Sequence, residues 1–330
     1  MAQVNVFDSD IFTLQSLTAT VNKQVPVPGR IGQLGYFQEQ GVATTTISVE
    51  SKEGKLSLVK NQVRGSTGEN TEREKRKVIP FQTLHLPQTD KVMADEVQNV
   101  RAFGTDDQLM AVETVVNGKV DQLRANLDAT MEYHRVGAIQ GKVMDADGTT
   151  VLHDMYQSFG INKTIESVKF GTDGFDMRNF GRAMRRKSKK ALGNVLVPDY
   201  RVFCGTEFFD TLVADEDTKR AWDRYNNGEA LRNDIKGGFR FGDLFWEEYA
   251  DEINDKPLIA PDRAFLVPEG VAGLFITRFA PADYMDTVNT LGLPYYADSQ
   301  PHGRKGVELE VQSNPLHLCL VPGSIIELKL

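Results

Sequence analysis

The sequence predicts an α+β fold in which one long helix follows an extended β-rich excursion and precedes a mixed lobe. Three observations carry this. Alternating strand patterns begin at Thr44, an uninterrupted helical period runs from Leu109 to Met131, and the C-terminal stretch from Gly306 alternates like sheet. At 330 residues the chain exceeds one typical domain, which predicts two lobes or one elongated body. Its 40% hydrophobic and 25% charged residues are those of a folded chain.

Taken in order, residues 1–43 carry one short helical signal, Phe12, Leu14, Leu17 and Val21, behind a cap at Asp8 or Asp10. Pro26 and Pro28 then fix extended backbone while Gly29, Gly32 and Gly35 loosen it, so the segment reads as an arm. TTTISVE, a turn at Lys52–Gly54 and KLSLVKNQV, with Leu56, Leu58 and Val63, read as a hairpin. Residues 64–77 form a polar tip, and VIPFQTLHLP is a further extended piece. A two-stranded hairpin is marginal alone in water, so this excursion needs another surface to lie on.

Leu109, Val112, Val116, Val120, Leu123, Leu127 and Met131 recur at spacings of three and four, one face of a continuous helix. With a cap at Thr105 or Asp106 and an end at the Asp145–Gly148 turn, it approaches 40 residues, about 60 Å at 1.5 Å per residue. Short strands around FGIN and SVKF are expected between 151 and 174. A second helix follows over 175–192, then a buried strand YRVFCG and a third helix TEFFDTLVADEDTKRAWDRYNN. Two further strand-and-turn stretches follow, and GVELEVQSNPLHLCLVPGSIIELKL closes the chain as a strand pair.

No catalytic or cofactor motif is present. The chain lacks a GxxxxGK[ST] phosphate loop, GxGxxG, HExxH, GxSxG and CxxC, and its five histidines are scattered. His153-Asp154 has no further ligands at helical spacing. Asp145, Asp147 and Gly148 echo a calcium loop, but the Gly comes two positions early and Tyr156 stands where the bidentate Glu belongs. Catalytic, cofactor and metal sites are therefore expected to be absent. Cys204 and Cys319 sit in apolar runs and read as two buried thiols. No apolar run approaches the roughly 20 residues that cross a bilayer, and the first residues lack a signal-peptide pattern, which predicts cytoplasmic synthesis and no membrane partner.

A formal net charge of −8 argues against a surface that grips nucleic acid throughout. The local exception is the helix bearing Arg178, Arg182, Arg185, Arg186, Lys187, Lys189 and Lys190. It could meet nucleic acid, but residues 207–256 hold about 14 acidic and 7 basic side chains, and pairing with protein is the preferred reading. Arg64, Arg73, Lys75, Arg76 and Lys77 share their loop with Glu69, Glu72 and Glu74, which also reads as a salt-bridged protein contact.

Five blocks carry a resemblance: VRGSTGE (63–69), VMADEVQNVRAFG (92–104), the stretch 131–152 beginning MEYHRVGAIQGKVMDADG, DTVNTLGLPYYA (286–297) and SNPLHLCLVP (313–322). In their order and spacing the chain resembles the lambda-type tailed-phage major capsid protein E family, and its element series resembles the Hong Kong 97 capsid fold. The resemblance implies an N-terminal arm at 1–43, an extended loop at 44–90 and a spine helix at 106–144. It also implies an axial lobe at 200–285 and a peripheral lobe from 91–199 and 286–330. It implies a shell subunit that assembles through hexamers and pentamers, with Leu56, Leu58, Val63, Arg64, Arg73, Lys75 and Arg76 of the loop on the next subunit. Arg178, Arg182, Arg185, Arg186 and Lys189 are the candidate DNA or inter-subunit charge contacts.

About 40 residues precede the hairpin, too few for an internal scaffolding domain, so a separate scaffolding protein is implied. A portal, a decoration protein and packaged double-stranded DNA in weak contact are the other implied partners. Some capsid proteins join Lys to Asn between subunits, and Lys52, Lys55, Lys60 and Asn61 lie in the hairpin, but sequence does not locate the partners of such a link. The alternatives are a cellular compartment of encapsulin type and, from another class, an enzyme with a dispersed site.

Overall fold

The helical face read between Leu109 and Met131 folds as a single helix, Gln108–Gln140, about 50 Å long at 1.5 Å per residue. The computed structural model describes residues 12–23, 29–51, 77–97, 108–172, 174–216, 218–219, 238–253 and 256–330. Within the helix, Val116, Val120, Leu123, Leu127 and Met131 are buried together, as their spacing requires. The helix stops at Gln140, short of the expected Asp145–Gly148 turn. Gly141 takes φ +87°, and a Cβ there would sit 2.1 Å from the Tyr156 ring, so only glycine fits the turn out of the helix. Asp145–Thr150 instead closes a hairpin between strands Lys142–Met144 and Val151–Asp154.

The chain divides into two compact units. The first comprises Met1–Ile47, Phe81–Arg135 and Ile276–His317. Its main sheet has Gly306–Ser313 at the centre, antiparallel to Tyr296–Pro301 on one side and Leu86–Met93 on the other. Val307, Leu309 and Val311 alternate inward from the central strand and meet the helix stripe, together with Leu17, Val21, Val92 and Phe279. Burying each such side chain contributes about 1.5–3 kcal/mol, so this stripe contributes substantially to the unit's stability.

The second unit comprises Ser48–Pro80, Val136–Phe275 and Leu318–Leu330. Its six-stranded mixed sheet runs in the order Thr164–Ser167, Ile326–Lys329, Arg263–Glu269, Asp199–Cys204, Leu244–Glu248, Gly238–Phe241. Of the central strands, Arg263–Glu269 is buried from Ala264 to Pro268 and Asp199–Cys204 from Val202 to Cys204, while Arg201 is half-buried and ion-paired with Glu247 and Glu269. The edge hairpin Gly238–Phe241/Leu244–Glu248 turns on Gly242 and Asp243, both with φ near +62°, the geometry of a two-residue primed turn. Two helices accompany this sheet, Met177–Leu192 and Thr206–Ala214.

Several expectations need correction. The C-terminal alternation does not fold as one strand pair. Gly306–Ser313, Pro315–Cys319 and Ile326–Lys329 enter three different sheets, because each finds its hydrogen-bonding partner elsewhere in the chain. FGIN is the end of a short helix, Met155–Phe159, capped by Asp154, and the strand expected at SVKF lies earlier, at Thr164–Ser167. The third helix ends at Ala214, where Asp215 turns extended (ψ 132°) and its carboxylate takes the Thr218 hydroxyl, starting a new helical turn. Residues 29–34, expected to be loose, include a short helix, Arg30–Leu34.

Candidate assembly surfaces

The expected contact residues of the extended loop, Leu56, Leu58, Val63, Arg64, Arg73, Lys75 and Arg76, lie outside the described residues, as do Lys52, Lys55, Lys60 and Asn61. The base of that excursion is described: Thr46–Ser51 pairs with Lys77–Gln82 in a two-stranded sheet. The strand that returns to the excursion's base is therefore VIPFQ.

The described part of the N-terminal stretch is held against its own unit. In helix Leu14–Lys23 the Thr18 hydroxyl bridges the backbone of Ala297, donating to its carbonyl (3.2 Å) and accepting from its N–H (3.1 Å). Asn22 donates to the Tyr295 carbonyl at 2.9 Å, and Arg124 of the long helix donates to the Val21 carbonyl at 2.5 Å. Farther along, the buried Glu132 carboxylate accepts from the N–H groups of Ile31 (2.5 Å) and Gly32 (3.1 Å). It thereby caps Arg30–Leu34, whose own cap residue Gly29 offers no side chain. A Cβ on Gly29 would lie 2.2 Å from Glu132 Cγ, so this approach requires glycine.

Helix Met177–Leu192 presents the basic cluster. Asp176 caps it by accepting from Arg178 N (2.8 Å) and Asn179 N (3.3 Å). Met177, Gly181, Met184, Ser188 and Leu192 form its buried stripe, and a Cβ on Gly181 would stand 3.1 Å from Leu244, so the helix lies tightly on the edge hairpin. The opposite face is cationic. Arg182 and Arg185 reach Asp243 at 3.6 and 3.7 Å, and Lys187 pairs with Glu166. Arg178 stacks over Phe241 at 5.4 Å and Arg185 over Tyr200 at 5.8 Å. Among the described residues of the acidic stretch 207–256, Asp243 is the one that pairs with this helix. Exposed pairs of this kind are worth about 0–1 kcal/mol, so they leave the cations available. Arg186, Lys189 and Lys190 are exposed and have no ion-pair partner among the described residues.

Nothing among the described residues gathers three or more His, Cys, Asp or Glu side chains where they could hold a metal ion. In the calcium-like turn, Asp147 accepts from Thr149 N and from the backbone and hydroxyl of Thr150, so the turn is closed on itself. The Thr150 hydroxyl above all holds its carboxyl far below the usual carboxylate range. Asp154 caps its helix and pairs with Lys142 at 3.1 Å. Cys204 and Cys319 are buried and unpaired; burial pushes the Cys319 thiol up to about 12, and that of Cys204 also well up. No helix among the described residues is long and apolar enough to cross a membrane.

One surface was not foreseen. Met285, Val288, Leu291 and Leu293 are all exposed on the loop after strand Phe275–Phe279. Exposure of apolar residues in a loop leaves no periodic trace in the sequence, and Val288, Leu291 and Leu293 stand out there only within the block 286–297.

A family model, phage major capsid protein E, matches residues 13–330. The chain belongs to this family. Among its relatives, the major capsid protein of Salmonella phage Felix O1 is 25% identical over 358 residues, covering 96% of both chains. That of Pseudomonas phage KPP10 is 24% identical over 324 residues, covering 91% of both. Among solved structures, a prophage capsid protein from E. coli CFT073 superposes with a TM-score of 0.61 at 14% identity, over 96% of this chain and 99% of that one. A capsid chain of cyanophage A-1(L) gives 0.51 at 10% identity, over 93% and 94%. For this capsid family member the fold is the Hong Kong 97 type.

Proposed function

We propose that copies of this chain form the wall of a tailed-phage head, assembling through hexamers and pentamers into an icosahedral shell around double-stranded DNA. The family match over residues 13–330 carries this reading. The chain acts as a structural subunit with no catalytic site or cofactor. Its extended loop, 44–90, with Leu56, Leu58, Val63, Arg64, Arg73, Lys75 and Arg76, docks on the next subunit, since a two-stranded excursion gains little stability alone. The arm at 1–43, the axial lobe at 200–285 and the peripheral lobe from 91–199 and 286–330 complete the subunit. A net charge of −8 suits a container whose DNA must enter and leave. Arg178, Arg182, Arg185, Arg186 and Lys189 supply local contacts, with a neighbouring subunit in preference to DNA. A separate scaffolding protein, a portal and a decoration protein are the remaining partners, with assembly in the host cytoplasm and residence in the virion.

Sedimentation velocity of the purified chain, alone and with a co-expressed scaffolding protein, tests this over a range of salt. Capsomer-sized and shell-sized species are expected. A single monomer boundary under every condition would contradict the reading.

A further inference from the structure

The loop 285–293 is ordered from within and apolar without. The Thr287 hydroxyl donates to the Ala282 carbonyl at 2.7 Å, and the Thr290 hydroxyl donates to the Thr287 carbonyl at 2.7 Å. Gly292 N–H reaches the Val42 carbonyl at 2.9 Å, and Leu293 N–H reaches the Tyr296 hydroxyl at 2.9 Å. A Cβ on Gly292 would stand 2.0 Å from the Phe279 carbonyl oxygen, so the backbone is pressed onto its unit. Yet Met285 is 93% exposed, Leu291 70%, Val288 65% and Leu293 42%. Side chains this exposed put on the order of 400 Å² of apolar surface in water, the size of the largest patch on a typical monomer, which is often functional. That is about half of one partner's share of a standard interface. A held backbone also lowers the entropy lost on docking.

Two features narrow the partner. The patch is flanked by the exposed carboxylates of Asp283 and Asp286, and beside it opens a cleft of about 1010 Å³ lined by Leu14, Thr18, Leu291, Leu293 and Tyr296. Helix Met177–Leu192 carries the complement: Arg186, Lys189 and Lys190 are exposed and without ion-pair partners among the described residues. Just beyond them stand Val195 and Leu196, the latter 79% exposed. An apolar patch with an acidic rim matches an apolar knob with a basic rim.

We propose that the loop 285–293 of one copy docks on a second copy of this chain, at the corner formed by the C-terminal end of helix Met177–Leu192 and Leu196. The contact is heterologous, two different patches joined head to tail, which is the kind that closes rings. This inference rests on the shell-subunit reading, and its failure is separable from that of the reading: if the wild-type chain does not assemble, the reading fails; if it assembles and the variants behave like it, only this contact fails.

The test uses the full-length chain under conditions where the wild type forms shells. Val288→Asp with Leu291→Asp should leave the circular dichroism spectrum and Tm unchanged, because both side chains are exposed, while the protein concentration needed for shells rises about tenfold or more. A second variant, Leu291→Cys with Leu196→Cys, is treated in shells with a short bismaleimide. Cys204 and Cys319 are buried and stay silent. A ladder of linked copies is expected from the double variant and none from either single variant. Assembly of the aspartate variant at the wild-type concentration, or shells of the cysteine pair without a ladder, would overturn the proposal.

Discussion

Replacing Glu132 by Ala should release the segment Arg30–Leu34 from the long helix. The carboxylate is 4% exposed and accepts two backbone N–H groups, from Ile31 and Gly32, and it lies 3.7 Å from Arg135. Hydrogen bonds to a charged acceptor contribute about 1.5–3 kcal/mol each, and the truncation also strands the buried Ile31 N–H, so the expected loss is about 3–5 kcal/mol. Arg135 keeps its 2.8 Å pair with Glu39, so its own displacement adds little. Glu132→Gln keeps one acceptor oxygen and should cost about half as much. Gly29→Ala drives a Cβ into Glu132 and should break the same clasp, making Gly29→Ala and Glu132→Ala strongly non-additive. Urea unfolding of the unassembled subunit, followed by circular dichroism, measures each change. A loss below about 0.5 kcal/mol for Glu132→Ala, or simple additivity with Gly29→Ala, would refute the clasp.

Three further outcomes are expected. Leu127→Ala, at a buried position in the centre of the helix stripe, should cost about 2–5 kcal/mol by urea unfolding, whereas an exposed helix substitution should fall within about 0.5 kcal/mol. Burial raises the Asp199 carboxyl, but the hydrogen bond and charge of Arg240 outweigh it and leave the pKa depressed. Its stability contribution is therefore full above the unfolded pKa of about 3.9 and is lost as pH falls through the lower folded value, so Asp199→Asn should flatten the acid limb of Tm against pH. An unchanged acid limb would contradict that pairing. Both thiols should resist a thiol reagent at pH 8 in the native chain and react at once in denaturant; fast native labelling would contradict their burial.

The sequence made legible what local periodicity encodes. The stripe from Val116 to Met131 repeats at helical spacing and lies in the core of the first unit, and YRVFC is a buried-strand pattern that becomes a central strand of the second. The helix Met177–Leu192 was readable for the same reason, although its cap, Asp176, emerged only from the structure. The rest depended on partners far away in the chain. Gly141 ends the long helix because the Tyr156 ring leaves no room for a side chain, and no period announces that. Ile31 and Gly32 are held in a helical turn by Glu132, a hundred residues later, while five residues with a central glycine carry almost no helical signal of their own. The C-terminal alternation marked strands correctly but not their partners, since a strand's pattern shows which face is buried and leaves its neighbour unspecified. The charge cluster on Met177–Leu192 was visible as composition. That Asp243 would meet two of its arginines depended on the primed turn that lifts it there.

The central claim, that this chain is a shell subunit, is tested most directly by cryo-electron microscopy of the particles it forms when expressed with its neighbouring phage genes. The account predicts a closed shell whose wall is this chain, repeated in rings of five and six, with Met285, Val288, Leu291 and Leu293 covered by an adjacent copy. Particles whose wall is another protein, or a chain that stays a monomer whatever accompanies it, would contradict the account.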